Sequence, residues 1–333
     1  MKNTKKNTKM KSKKTFRRVL KSKSKKSSLS PLIKGFIVPG LPHILLAPEK
    51  NPGWQKMRNA FDEVKNEIAA SGAEILVIYS TYWSSILGHQ IQAEPEPEWV
   101  HVDDQFYALG SIPYKLRMDS KFAELLKEKC LSRGLQARTT AYKGFPIDTG
   151  SVVALKLLNP DNKIPAVIIS SNIYSDRAES IVLGKAARDA IEASGKKAIC
   201  LVITSLSNRM HTTHVPSEKD KIHSLKDHEW NLKFLEYLQA GRLEDASQLS
   251  RQFHREARVQ KVVNFKPFWW LAGVMGQNNL YGGKLYEYQP ICGTGNALVG
   301  LTPSLRSARD LEFDEDDPQN YKGERNVLGE KYD

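Results

Sequence analysis

Three runs, EILVIYS (74–80), PAVIIS (165–170) and KKAICLVIT (196–204), are apolar at almost every position. A strand that is apolar on both sides must be covered on both sides, which is the pattern of a parallel sheet held between helices. The intervening segments supply those helices. After a first strand, LIKGFIV (32–38), Trp54, Met57, Phe61, Val64 and Ile68 recur at steps of three and four and mark one apolar helical face, which stops at Gly72. Phe122, Leu125, Leu126 and Leu131 mark a second helix ending at Gly134, and a third helix over 176–194 joins two of the apolar strands. LQARTTAY (135–142) and GNALVGL (295–301) read as further strands, whereas 230–240, 243–259 and a Trp/Phe-rich stretch near 265–275 read as helical. The prolines of AEPEPEW (93–99) exclude it from the middle of a sheet. The alternation predicts a single α/β domain with a mainly parallel central sheet covered by helices on both faces.

Charge divides the chain more sharply than hydropathy does. The formal net charge is +13, yet residues 1–26 hold thirteen Lys or Arg and no acid, so the rest is close to neutral. The expected organisation is a disordered Lys-rich tail over 1–30, a folded domain over 31–303 and an acidic, extended C-terminal tail over 304–333. The basic tail reads as a solvated extension, or as a weak contact to nucleic acid or an anionic surface through residues such as Lys13, Lys14, Arg17 and Arg18. No apolar segment follows the charges as in a secretory signal, and no run is apolar enough to cross a membrane. Cys130, Cys200 and Cys292 are odd in number and far apart, which implies neither a disulfide framework nor a zinc site and points to a reducing cytoplasm.

Few local motifs carry chemistry by themselves. GFPIDTGS (144–151) has the form of an aspartic-protease loop, but that mechanism needs two carboxylates sharing a proton and the chain has one copy, so Asp148 reads as a turn or packing residue. His211 and His214 form an HxxH in a polar loop, the pattern of two solvated imidazoles more than of a metal site. HVDDQFY (101–107) sets two acids beside His101 on a loop suited to an Asx-turn or a helix cap.

Taken in order, FIVPGLPH, LVIYSTYW, VHVDDQFY, GFPIDTGS, SSNIYS, LEYLQAGRLEDA, HREARV and GTGNALV resemble the class III extradiol ring-cleavage dioxygenases over roughly 33–302. VHVDD, GFPIDTG and YSTYW resemble in particular the alpha-type, non-catalytic subunit of the 2-aminophenol-cleaving members. The resemblance implies that fold, a place in aromatic compound catabolism and, in catalytic members, a mononuclear Fe(II) held by two histidines and a glutamate with open positions for substrate and dioxygen.

The same resemblance exposes three departures. In the Pro-Gly-Leu-Pro-His string Gly40 stands where the first histidine ligand is expected, and His43 matches a second histidine that does not bind iron. In Ser-Thr-Tyr-Trp, Tyr82 stands at the second ligand position. In Leu-Ser-Asn, Asn208 replaces the acid/base histidine. Glu256 of HREARV is the match for the carboxylate ligand. The implied reading is a chain with no cofactor of its own that supports a related catalytic subunit carrying Fe(II) in a hetero-oligomer, the stretch FKPFWWLAGVMG (265–276) being either a contact for that partner or a buried helix. Two alternatives stay open: an active iron dioxygenase with displaced ligands drawn from His43, His89, His101 and Glu256, and a scaffold or binding protein that reuses the fold and touches nucleic acid through its tail.

Overall fold

The computed structural model describes residues 31–304 apart from 209, 212 and 260–264. The expectations for Lys13, Lys14, Arg17, Arg18 and the acidic tail fall outside the described residues.

Among the described residues, ten strands and eight helices follow one another. They are β1 (Leu32–Val38), a one-turn α1 (His43–Leu46), α2 (Pro52–Ala70), β2 (Ile75–Ser85), β3 (His89–Gln92), β4 (Glu98–Val102), β5 (Ser111–Lys115) and α3 (Ser120–Ser132). There follow β6 (Ala137–Thr140), α4 (Thr149–Leu158), β7 (Ala166–Asn172), α5 (Arg177–Ser194), β8 (Ala198–Ile203), α6 (Leu225–Gln239), α7 (Leu243–Glu256), α8 (Lys266–Met275), β9 (Gly282–Ile291) and β10 (Thr294–Thr302). Eight strands form one sheet in the order β6-β3-β7-β2-β8-β1-β10-β9, and β4 and β5 form a separate hairpin. The four central strands β7, β2, β8 and β1 are mutually parallel, while β10 and β9 close one side antiparallel.

The three apolar runs lie at the centre of this sheet, as their two-sided apolarity requires. All side chains of β8 are buried, and so are those of β7. Alternate residues of each strand then serve opposite cores. Val77, Tyr79, Cys200 and Val202 face the layer of α3, α5, α6, α7 and α8, whereas Leu76, Ile78, Ile199 and Leu201 face α2 and α4. The helix starts follow local chemistry. Asn51 accepts from the backbone N–H groups of Gly53 and Trp54 at the head of α2, and Asp176 accepts from Glu179 N at the head of α5. Gly195, at φ 68°, ends α5 in the left-handed conformation that glycine adopts without strain.

The Trp/Phe-rich stretch is α8, a helix of the protein's own core: Trp270 and Phe268 are fully buried. Of its two sequence readings, a partner contact or a buried helix, the structure has the buried helix. It lies so close to α5 that a β-carbon on Gly184 would stand 2.2 Å from the carbonyl oxygen of Trp270. Glycines at this crossing let two helix backbones approach more closely than side chains would allow.

Beyond the short elements α1, β3, β4 and β5, which no periodicity marks, three elements depart from the sequence reading. The GFPIDTGS loop runs directly into α4, which Asp148 caps by accepting from Ser151 N. The strand β9 lies at the sheet edge, where its mixed polar composition conceals it from hydropathy. The helix expected over 243–259 stops at Glu256, because Asp227 Oδ1 accepts from Arg258 N at 3.0 Å and holds the following residues in extended form.

Candidate active-site cavity

A cavity of about 550 Å³ opens beyond the carboxyl ends of the central parallel strands, the usual position of ligand sites in open α/β sheets. Residues that follow β1 and β8, and those in the last part of β2, line it, among them Leu41, Asn208 and Tyr82. The head of α4 contributes Asp148 and Thr149, the β4 hairpin contributes His101, Asp103 and Asp104, and the extended segment after α7 contributes Arg258 and Val259.

Hydrogen bonds fix this rim. Thr149 donates its hydroxyl to Asp103 Oδ2 at 2.7 Å and in turn accepts from His101 Nε2, so the imidazole carries its proton on Nε2. Asp103 Oδ1 accepts from the backbone of Gln105 and Phe106, the Asx-turn that the sequence suggested. Asp148 Oδ1 accepts from Ser80 Oγ at 2.8 Å and from Ser151 N at 2.9 Å, whereas its Oδ2 is buried without a hydrogen-bond partner among the described residues. Burial raises the Asp148 carboxyl above the ordinary range, against the pull of those donors. The Asn208 loop is held from behind: Asn208 N donates to the Arg258 carbonyl, and Ser207 N donates to Asn231 Oδ1.

Gly40 and Tyr82, the two positions singled out in the sequence, meet on the floor of this region. The β2 strand is irregular between Ser80 and Ser84, and this irregularity carries the Tyr82 ring toward β1. A β-carbon on Gly40 would stand 2.6 Å from Tyr82 Cε2, 2.7 Å from Ile203 Cγ2 and 2.8 Å from Gly150 Cα. A β-carbon on Gly150 would likewise stand 2.5 Å from Tyr82 Cδ2, on the same edge of the ring. One edge of the phenol therefore packs against two glycines and occupies volume that a side chain at position 40 would need. Burial, with Asp103 and Asp148 nearby, raises its pKa well above that of a free tyrosine, so it stays neutral.

These residues do not fit the ferrous ion that the resemblance associates with this region. Glycine offers no side-chain donor, and a neutral phenol is a poor ligand for Fe(II). Among the described residues no group of three or more His, Cys, Asp or Glu side chains is arranged to hold a metal ion.

The alternative ligands are not brought together. His43 is buried against Trp54 and Phe106, with ring centroids 4.8 and 4.4 Å away, and its Nε2 lies 3.3 Å from Cys292 Sγ. Loss of hydration lowers its pKa to about 4. His89 is enclosed beside Glu179, at 3.0 Å. Of these candidates His101 alone lines the cavity. Glu256 ends α7 in an exposed ion pair with Lys226 at 2.9 Å and does not line the cavity, which corrects its assignment as a residual ligand. Its helical phase was the available signal: α7 buries Leu243, Ala246 and Phe253, which leaves Glu256 on the outer side. Arg258 and Val259, which do reach the cavity, were hidden by the helix expected across them.

A family model described as the catalytic LigB subunit of aromatic ring-opening dioxygenase matches residues 36–300. The chain is 28% identical over 269 residues to the 2-aminophenol 1,6-dioxygenase alpha subunit of a Pseudomonas species, covering 80% of this chain and 98% of that one. It is 30% identical over 286 residues to the corresponding beta subunit, covering 80% and 93%. An uncharacterized Escherichia coli K12 protein of known crystal structure shares the fold at a TM-score of 0.57 and 13% identity, covering 80% of this chain and 99% of that one.

Proposed function

The chain belongs to the LigB family of aromatic ring-opening dioxygenase subunits, and from that premise we propose that it is a metal-free, alpha-type subunit that supports a separate Fe(II)-bearing catalytic chain. The carrying observation is the packing of Tyr82 onto Gly40, which leaves neither nitrogen donor nor room for one. Overall similarity does not choose between the two subunit types, since identity to the alpha and beta relatives is 28% and 30%. The choice rests on the replaced positions Gly40, Tyr82 and Asn208, of which Asn208 removes an acid/base group as well.

In this reading ring cleavage takes place on the partner, and this chain contributes a rigid α/β body whose loops adjoin the partner's site. Three features favour a role through association: the cavity is retained, its rim is hydrogen-bonded, and its floor is filled by a side chain. A polypeptide that had only lost a metal would leave an open void there. Co-expression with a relative in which both ligand histidines are intact tests the proposal. The expected result is a mixed complex on size-exclusion chromatography, with iron in proportion to the partner alone. Separate elution of the two chains contradicts it.

A further inference from the structure

The structure also holds a second cavity of about 490 Å³, which shares His101, Asp104 and Asp148 with the first. The inward side of the β4 hairpin forms one wall and the stretch leading to α4 forms the other. Trp99 and His101 pair across the hairpin with Tyr114 and Ile112, both buried, so they share its inward side. Trp83 packs against Phe145 with ring centroids 5.6 Å apart. Three aromatic residues, Trp83, Trp99 and Phe145, thus line one small cavity together with Asp104 and Asp148.

We propose that this aromatic and acidic cavity binds a small organic ammonium ion. Aromatic faces attract a cation through their quadrupole, most strongly for tryptophan, and a bulky alkylammonium loses little hydration on entering such a site. A neutral apolar ligand would gain nothing from Asp104, and an anion would be repelled by it. Among the described residues no cation of the protein meets this demand. The cation–π contacts among the described residues involve Lys34, Lys233, Arg242 and Lys284, and none of them touches these three rings. The Oδ2 atom of Asp148, buried without a partner among the described residues, is an unsatisfied acceptor beside the shared wall. Trp99 remains 58% exposed despite its size, which leaves the mouth open to a ligand. The site uses none of the residues at the replaced iron positions, although it shares His101, Asp104 and Asp148 with the first cavity.

Choline and its uncharged carbon isostere, 3,3-dimethyl-1-butanol, titrated at constant ionic strength into the full-length protein by calorimetry, test the proposal. Saturable choline binding is expected, with the isostere weaker by about three- to thirty-fold, the range of a partly desolvated cation–π contact. Trp99→Ala and Asp104→Asn should each weaken choline by a similar factor. Both positions are exposed, so unchanged circular dichroism and melting temperature are expected as the control on folding. Absence of saturation, equal affinity for the isostere, or choline binding untouched by both substitutions would each overturn the proposal.

Discussion

The ring of Tyr82 rests on the backbone of Gly40, with Cε2 2.6 Å from where a β-carbon at residue 40 would lie. Two replacements distant in sequence are therefore one event in space. A histidine at position 40 and a tyrosine at position 82 cannot coexist here, so Gly40→His alone overpacks the floor. A loss of about 1–3 kcal/mol of stability is expected by denaturant unfolding. Gly40→His with Tyr82→His should lose less than the sum of the single changes, because the second substitution relieves the tightest of the three close contacts, those with Ile203 and Gly150 remaining. Additive losses would show that the two residues do not share this space.

Asp148 separates two effects of one carboxylate. Its Oδ1 caps α4, so Asp148→Ala should cost about 0.5–2 kcal/mol at neutral pH. Its carboxyl titrates higher in the folded than in the unfolded chain, so the folded state holds the proton more tightly. Stability from this group is present at low pH and falls as pH rises from the unfolded to the folded value. Asp148→Asn keeps a cap-competent oxygen without the charge and should flatten that decline. Urea titrations between acid and neutral pH measure both, and a variant with the wild-type slope would contradict the assignment.

His43 gives the opposite slope. Its pKa falls from 6.5 to about 4 through burial, so the unfolded chain binds the proton more readily between those values. Stability is full above the unfolded value and declines as pH drops through this window, by up to about 3 kcal/mol. His43→Phe keeps a ring between Trp54 and Phe106 and should remove this acid limb from the melting profile. Persistence of the limb would assign it to another group.

The crossing of α5 and α8 rests on Gly184, whose β-carbon would meet the Trp270 carbonyl at 2.2 Å. Gly184→Ala should force the helices apart and lower the melting temperature markedly, even though alanine favours the helix by about 1 kcal/mol. A stabilised variant would mean that the two helices can separate without cost.

Much of this organisation is legible in the sequence because burial on both faces leaves an unmistakable record. ILVI, AVII and ICLVI have no polar alternative to a central strand, and the helix over 176–194 is marked by Asp176 at its head and Gly195 at its end. What escaped was set by contacts between distant segments. The end of α7 depends on Asp227, 31 residues earlier, so nothing local announces it. The part played by Asp148 in the cavity depends on Ser80, 68 residues away. Gly40 and Tyr82 could each be noted as replacements, but only the fold places one ring on the other residue.

The central claim is that this chain supplies no iron site of its own. The most direct measurement is the iron content and ring-cleavage activity of the protein purified alone after anaerobic reconstitution with Fe(II). Iron well below one equivalent and no turnover of a catechol or an aminophenol are predicted. Near-stoichiometric, tightly held ferrous iron with unaided ring cleavage would contradict the account.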